Sequence, residues 1–207
     1  VDAGSPVAAN RVLAFTKRFF SWCKERDILE LSPAEAIRPP SKEKIRDRVL
    51  TMEEMKKFWV ACDQIGYPWG PIFQLLLLTG ARLREISEAS WHEVSIKDRT
   101  LNLPSQRTKN SRSHQIQLSD QAMNIIQSIP KVEGQKLLFT TNGTTAVSGF
   151  SKVKKRLDII SGVSDWRYHD LRRSFATHST ERLSISPVIA DKILNHATGQ
   201  VRGVAAI

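Results

Sequence analysis

The hydrophobic period changes twice along this chain, and that limits the fold more than any other feature. Up to Thr79 the apolar residues recur at helical spacing. Pro71 to Thr79 is almost wholly apolar, which reads as a buried helix, and Gly80 supplies its stop. Then Val94 and Ile96, Leu101 and Leu103, and His114, Ile116 and Leu118 alternate along three short segments. Beyond Ser119 the helical period returns. The expected fold is mostly α with a small antiparallel three-stranded β-sheet, an α+β arrangement. Lys97-Asp98-Arg99-Thr100 makes its first turn, and Pro104 to Ser113 forms a polar, basic loop carrying Lys109.

The helical stretches carry their own boundary signals. Val12, Phe15, Phe19 and Trp22 predict an amphipathic helix over residues 9 to 26. Ser32-Pro33-Ala34-Glu35 has the form of a helix start, with proline at the first helical position. Arg38 to Arg48 holds two prolines and a run of charges, so it reads as an extended linker. Its Arg38, Lys42, Lys44, Arg46 and Arg48 suit either a path along a phosphate backbone or a plain solvated strand. Thr51-Met52-Glu53-Glu54 is a capping box, followed by a core face of Met55, Phe58, Trp59 and Cys62. A short helix is expected from Arg82 to about Glu88. Further on, Ser148 is the expected cap of a helix with Phe150, Val153, Leu157 and Ile160 on one face. Helices are also expected from His169 to about Glu181 and from Ser186-Pro187 to near Asn195. The chain therefore divides into residues 1–45, a helical piece with its linker, and residues 46–207, a second domain.

The formal net charge of +10 on 207 residues favours a polyanionic partner, with nucleic acid foremost. No apolar run is long enough to cross a bilayer, and Val1 to Pro6 has neither the basic flank nor the apolar stretch of a signal peptide. The absence of an initiating methionine suggests that Val1 is not the native start. The expected setting is cytoplasmic, without membrane contact. Cys23 and Cys62 stand alone, which argues against a structural zinc or a disulfide framework and for buried, reduced thiols.

Five scattered residues suggest chemistry. They are Arg82 in Thr79-Gly80-Ala81-Arg82-Leu83-Arg84-Glu85-Ile86, Lys109 in Arg107-Thr108-Lys109-Asn110, His169 and Arg172 in His169-Asp170-Leu171-Arg172-Arg173, and His196 in Leu194-Asn195-His196. Phosphoryl transfer places negative charge on the equatorial oxygens of phosphorus, and planar guanidinium groups match that geometry with paired hydrogen bonds. Arg82 and Arg172 can hold the two non-bridging oxygens. His169 lies one helical turn before Arg172 and can accept a proton from a nucleophile. Lys109 can protonate a leaving oxygen, and His196 can donate to the phosphate. Each alone is weak: a cap, a surface charge or a solvated pair is the ordinary reading.

In this order, the phrases resemble the tyrosine recombinase (phage integrase) family, over Val49 to the C-terminus. The resemblance implies the family's catalytic-domain fold, with residues 1 to about 45 as the end of its core-binding domain. It also implies an enzyme of a phage or mobile element that breaks and rejoins double-stranded DNA through a 3′-phosphotyrosyl link. No metal or cofactor is implied. The intact protein would act as a homotetramer on two duplexes. Arg82, Lys109, His169, Arg172 and His196 take the catalytic roles just described, and Glu85 matches a carboxylate that orients its neighbours. The departure is the nucleophile. The family's tyrosine follows the Leu-x-His phrase by roughly ten residues, whereas residues 197–207 hold none. A tyrosine just past Ile207 is expected, and these residues alone should bind DNA without forming an adduct. A type IB topoisomerase-like enzyme and a non-catalytic DNA-binding module are the alternatives. Arg172→Ala is expected to weaken DNA binding with the fold intact. Lys152, Lys154, Lys155 and Arg156 suit either phosphate contact or a solvated helix face.

Overall fold

The computed structural model describes residues 5–42 and 46–195. It comprises two compact units, Val1–Arg46 and Asp47–Ile207. In the first, helix α1 (Pro6–Lys24) opens with proline in its first turn. Asn10 pins the proline-rich segment to this helix: its Nδ2 donates to the Ser41 carbonyl (2.9 Å) and its Oδ1 accepts from the Ser41 amide (3.3 Å). One expectation fails here. The Ser32 signal produces a turn, in which Glu35 N–H bonds the Ser32 carbonyl at 3.1 Å, and no helix follows. Pro39 and Pro40 disfavour helix at the residues before them, so too few remain to propagate one. The helix expected over residues 9 to 26 is present within α1, and its apolar stripe of Val12, Phe15, Phe19 and Trp22 is exposed.

The second unit begins with the Thr51 capping box. Thr51 Oγ1 accepts from the Glu54 amide and a Glu54 carboxylate oxygen accepts from the Thr51 amide, opening α2 (Met52–Ile65). Arg48 grips the same carboxylate through both terminal nitrogens, at 2.9 and 2.5 Å. Of the linker's expected phosphate-tracking charges, Arg48 is thus engaged within the protein. The apolar run becomes α3 (Trp69–Thr79), and α4 (Leu83–Ser87) follows. Strands β1 (Val94–Ser95), β2 (Thr100–Leu103) and β3 (His114–Gln117) form an antiparallel sheet in the order β1-β2-β3, with Leu101 opposite Ile116 and Leu103 opposite His114. Leu101, Leu103, Ile116 and Leu118 turn inward, as a period of two requires.

Helices α5 (Asp120–Ser128), α6 (Phe150–Ser161), α7 (Tyr168–Leu183) and α8 (Pro187–Ile193) complete the unit. Helix α6 is preceded by Gly149 in the left-handed region (φ 76°), not capped by Ser148; the amide of Lys152 bonds the Gly149 carbonyl instead. Phe58, Phe73, Trp166 and Tyr168 form the aromatic centre, with Phe58 edge-on to Trp166 at 5.0 Å and Phe73 stacked on Tyr168 at 6.0 Å. This centre fixes α7 against α3, and so sets where the first turns of α7 point. Among the described residues no helix is long and apolar enough to cross a membrane. Cys23 and Cys62 are buried free thiols.

Candidate active site

Helix α3 ends where the site begins. Gly80 adopts φ 63°, and its amide bonds the Leu76 carbonyl. A Cβ at this position would lie 2.5 Å from Phe175 and 2.7 Å from Leu194, so both the backbone angle and the close approach demand glycine. Two residues later the chain re-enters helix. There Glu85, 2% exposed, accepts from the Arg82 amide (2.8 Å) and from the Arg82 guanidinium (2.7 Å). The carboxylate therefore both caps α4 and aims Arg82, which matches the orienting part expected of it.

Arg172 reaches the same place from α7. It is 4% exposed, donates Nη1 to the Gly80 carbonyl at 2.7 Å and donates Nη2 to the Leu194 carbonyl. Burial, followed by the like charge of Arg82, pushes its pKa down to about 10, while Glu85 and Asp191 oppose the shift. The guanidinium stays charged at neutral pH, and Glu85 and Asp191 only partly offset its burial and the charge of Arg82; a bound anion would add to that offset. The expectation that Arg172→Ala leaves the fold intact is corrected: this side chain ties the end of α3 to the end of α8.

His169 lies one turn before Arg172. Burial, then the like charges of Arg172 and Arg173, hold its pKa below the ordinary 6.5, so the ring is neutral at pH 7 and able to accept a proton. Lys109 projects from the loop between β2 and β3. Its neighbours are fastened: Arg107 pairs with Glu93 (2.5 Å) and donates to the carbonyls of Arg84 and Glu85, and Thr108 Oγ1 donates to the Arg112 carbonyl at 2.6 Å. Lys109 itself is exposed and makes no ion pair among the described residues. Arg82, Lys109, His169 and Arg172 line one open cleft of about 690 Å³. His196 lies outside the described residues.

The cleft also holds residues that the sequence reading passed over. Arg84, Arg107 and Arg167 bring its basic lining to six side chains, against the single carboxylate of Glu85. Asp170, 1% exposed, accepts from the Arg167 amide at 2.8 Å and from Arg173, and so caps the helix that carries His169 and Arg172. The signal was its place three residues after Arg167, a capping-box spacing. His114 was read only as a strand residue. Burial first holds its pKa down; Glu85 opposes, and Arg172 and Arg82 add to the depression. The pairing of β3 with β2 sets it near Glu85, Arg82 and Arg172, although it does not line the cleft.

The other basic candidates divide. Lys154 bonds both carboxylate oxygens of Asp158 and sits 4.5 Å from the centre of Trp166, so it is engaged; Lys152, Lys155 and Arg156 are exposed. Neither tyrosine is poised to attack. Tyr168 donates to the Phe150 carbonyl at 2.7 Å, and burial pushes its pKa up to about 12; Tyr67 donates to the Leu138 carbonyl.

The depressed pKa values of His114 and His169 have a consequence for stability. The folded chain binds these protons more weakly than the unfolded chain does. Their contribution is complete above the ordinary imidazole value of 6.5 and is lost as pH falls through that value towards the folded ones. Urea midpoints measured between about pH 7.5 and 5.5 should fall, and His114→Asn with His169→Asn should flatten that slope.

Residues 48–201 match the model of the phage integrase family. A shufflon-specific DNA recombinase of Escherichia coli is 26% identical over 202 residues, 93% of this chain and 50% of that protein. Prophage integrase IntZ of Escherichia coli (strain K12) is 27% identical over 157 residues, 75% of this chain and 39% of its own length. The chain thus spans half or less of these relatives. Among solved structures, a lambda integrase dimer bound to a COC′ core site superposes with TM-score 0.75 at 20% identity, covering 95% of this chain and 74% of that one. A lambda integrase tetramer bound to a Holliday junction gives 0.76 at 18% identity, covering 99% and 62%. At these identities the likeness is one of fold.

Proposed function

Since the chain belongs to the phage integrase family, we propose that it is the DNA-cutting part of a site-specific recombinase acting on double-stranded DNA. The observation that carries this reading is the gathering of Arg82, Lys109, His169 and Arg172 around one basic cleft from three separate stretches of sequence. A scissile phosphate enters beside Arg82 and Arg172 and relieves their mutual repulsion. Their guanidinium groups stabilise the charge that builds on the equatorial oxygens. His169 takes the proton of an attacking tyrosine hydroxyl. The new bond joins that oxygen to phosphorus, the bond to the 5′ oxygen breaks, and Lys109 protonates the departing 5′ oxygen. Attack by another 5′ hydroxyl reverses the steps and rejoins strands without an external energy source. His196 donates to the same phosphate.

The attacking tyrosine is neither Tyr67 nor Tyr168, whose hydroxyls are committed to backbone carbonyls. The 207 residues should therefore bind a nicked duplex without becoming covalently attached to it; an adduct on this chain would disprove the assignment. The family match and the recombinase relatives favour this reading over a type IB topoisomerase. The helical first unit belongs, in this reading, to a core-binding domain, and assembly as a homotetramer on two duplexes is taken from the lambda integrase tetramer.

Binding to the chain as it stands gives a direct test. Affinity for a random-sequence duplex should fall linearly with log salt concentration. Arg84 is exposed at the mouth of the cleft, so Arg84→Ala should lower the magnitude of that slope by about one while leaving the melting temperature unchanged. A slope near zero for the unaltered chain would remove DNA as the partner.

A further inference from the structure

The end of α8 is where three separate elements meet. His114 of β3 lies close to the backbone of Ile193. Arg172 of α7 takes the Leu194 carbonyl. Asn110, in the β2–β3 loop, donates its Nδ2 to the side-chain oxygen of Asn195 at 3.0 Å and to the Asn195 carbonyl at 3.3 Å, and Asn195 Nδ2 returns a bond to Asn110 Oδ1 at 3.4 Å. Asn195 holds φ 50°, a left-handed angle that asparagine tolerates better than most residues. Both side chains are half-buried, and 85 positions separate them in the chain.

We propose that Asn110 and Asn195 are positioning residues, and that their paired amides latch the Lys109 loop to the end of α8. The proposal rests on the recombinase reading and deepens it. Lys109 follows Thr108 and precedes Asn110. On the Thr108 side the loop is fastened through Arg107 and the Thr108 hydroxyl. On the other side, the contact that reaches another element is the one from Asn110 to Asn195. With both flanks held, the Lys109 backbone is fixed while its long side chain still reaches into the cleft. The same latch holds Asn195, at the end of α8. A displacement of about 1 Å at the Lys109 ammonium costs on the order of a hundredfold in rate.

The test compares two leaving groups in a form of the protein that carries the attacking tyrosine. Duplexes are made with oxygen or with a 5′-bridging sulfur at the position cut by the unaltered protein. Sulfur leaves as a thiolate and needs no proton, so a defect that acts through Lys109 disappears on that substrate. Asn195→Gly keeps the left-handed backbone and removes the amide; Asn110→Ala removes the other half. Each should slow cleavage of the oxygen duplex by about ten- to a hundredfold and of the sulfur duplex by less than about threefold. The double variant should be no slower than the slower single one, because both halves belong to one contact. Equal losses on both duplexes would overturn the latch. Lys109→Ala on the same pair of duplexes separates the two levels: equal impairment there would overturn the general-acid role of Lys109 itself.

Discussion

Arg172→Ala should both unfold more readily and lose catalysis, whereas Arg82→Ala should lose catalysis with a smaller change in stability. The two arginines face one cleft but are held differently. Arg172 is 4% exposed, and its two terminal nitrogens satisfy the carbonyls of Gly80 and Leu194, both in buried residues. Removing the side chain leaves two buried acceptors without donors, at about 1–3 kcal/mol each. The sum, about 2–6 kcal/mol, is a large part of the stability of an ordinary domain. Arg82 is 26% exposed at its side chain, and its partner Glu85 keeps the Arg82 backbone amide when the guanidinium is removed. Its loss leaves one buried carboxylate oxygen of Glu85 without its donor, at about 1–3 kcal/mol, against two orphaned acceptors for Arg172. In cleavage by a tyrosine-bearing form, each variant should fall by at least about a thousandfold, because each removes charge stabilisation that grows in the transition state. Arg172→Lys should not restore activity: a single ammonium has three donors and no planar fork with which to bridge both carbonyls and still present a pair to phosphate. Urea unfolding alongside single-turnover cleavage checks the pair. An Arg172→Ala chain as stable as its parent would show that the two carbonyls do not depend on it.

The contrast between these arginines also shows where linear reading stops. Arg82 and Arg172 were legible as candidates because each sits in a phrase whose geometry is local: Gly80 must turn the chain, and His169 and Arg172 must share a helix face. The sheet was legible because Leu101, Leu103, Ile116 and Leu118 alternate, and register follows from which of them turn inward. What the pattern did not carry is anything set by two distant segments at once. That Arg172 braces Gly80 and Leu194 depends on α3, α7 and α8 meeting. That His114 feels Glu85 depends on β3 pairing with β2 at a particular register. Lys154 looked like Lys152 and Lys155 until Asp158 and Trp166 claimed it. Spacing also has a limit of its own: Val12, Phe15 and Phe19 mark an apolar face of α1, but spacing does not say what would cover that face, and it is exposed.

Lys109→Ala should be the cleanest catalytic variant in this chain. The residue is exposed and makes no ion pair among the described residues, so stability should stay within about 0.5 kcal/mol. If Lys109 were only another contact to the DNA backbone, its loss would weaken binding and lower the salt slope by about one, with little effect on the cleavage rate of bound DNA. A proton donor behaves in the reverse way: binding changes little, and the rate falls by about a hundred- to ten-thousandfold. The leaving group explains why the loss is large. An unprotonated 5′ oxygen departs as an alkoxide whose conjugate acid is about as weak as water, whereas a thiol, with a pKa of about 8.5, is far more acidic and leaves readily as a thiolate. On a 5′-bridging sulfur the Lys109→Ala enzyme should therefore come within about tenfold of its parent. Lys109→Arg keeps the charge but should not recover the oxygen reaction, since a guanidinium holds its proton far too tightly to surrender it. Charge, reach and acidity are separated by these three measurements, and only a residue that gives up a proton satisfies all of them.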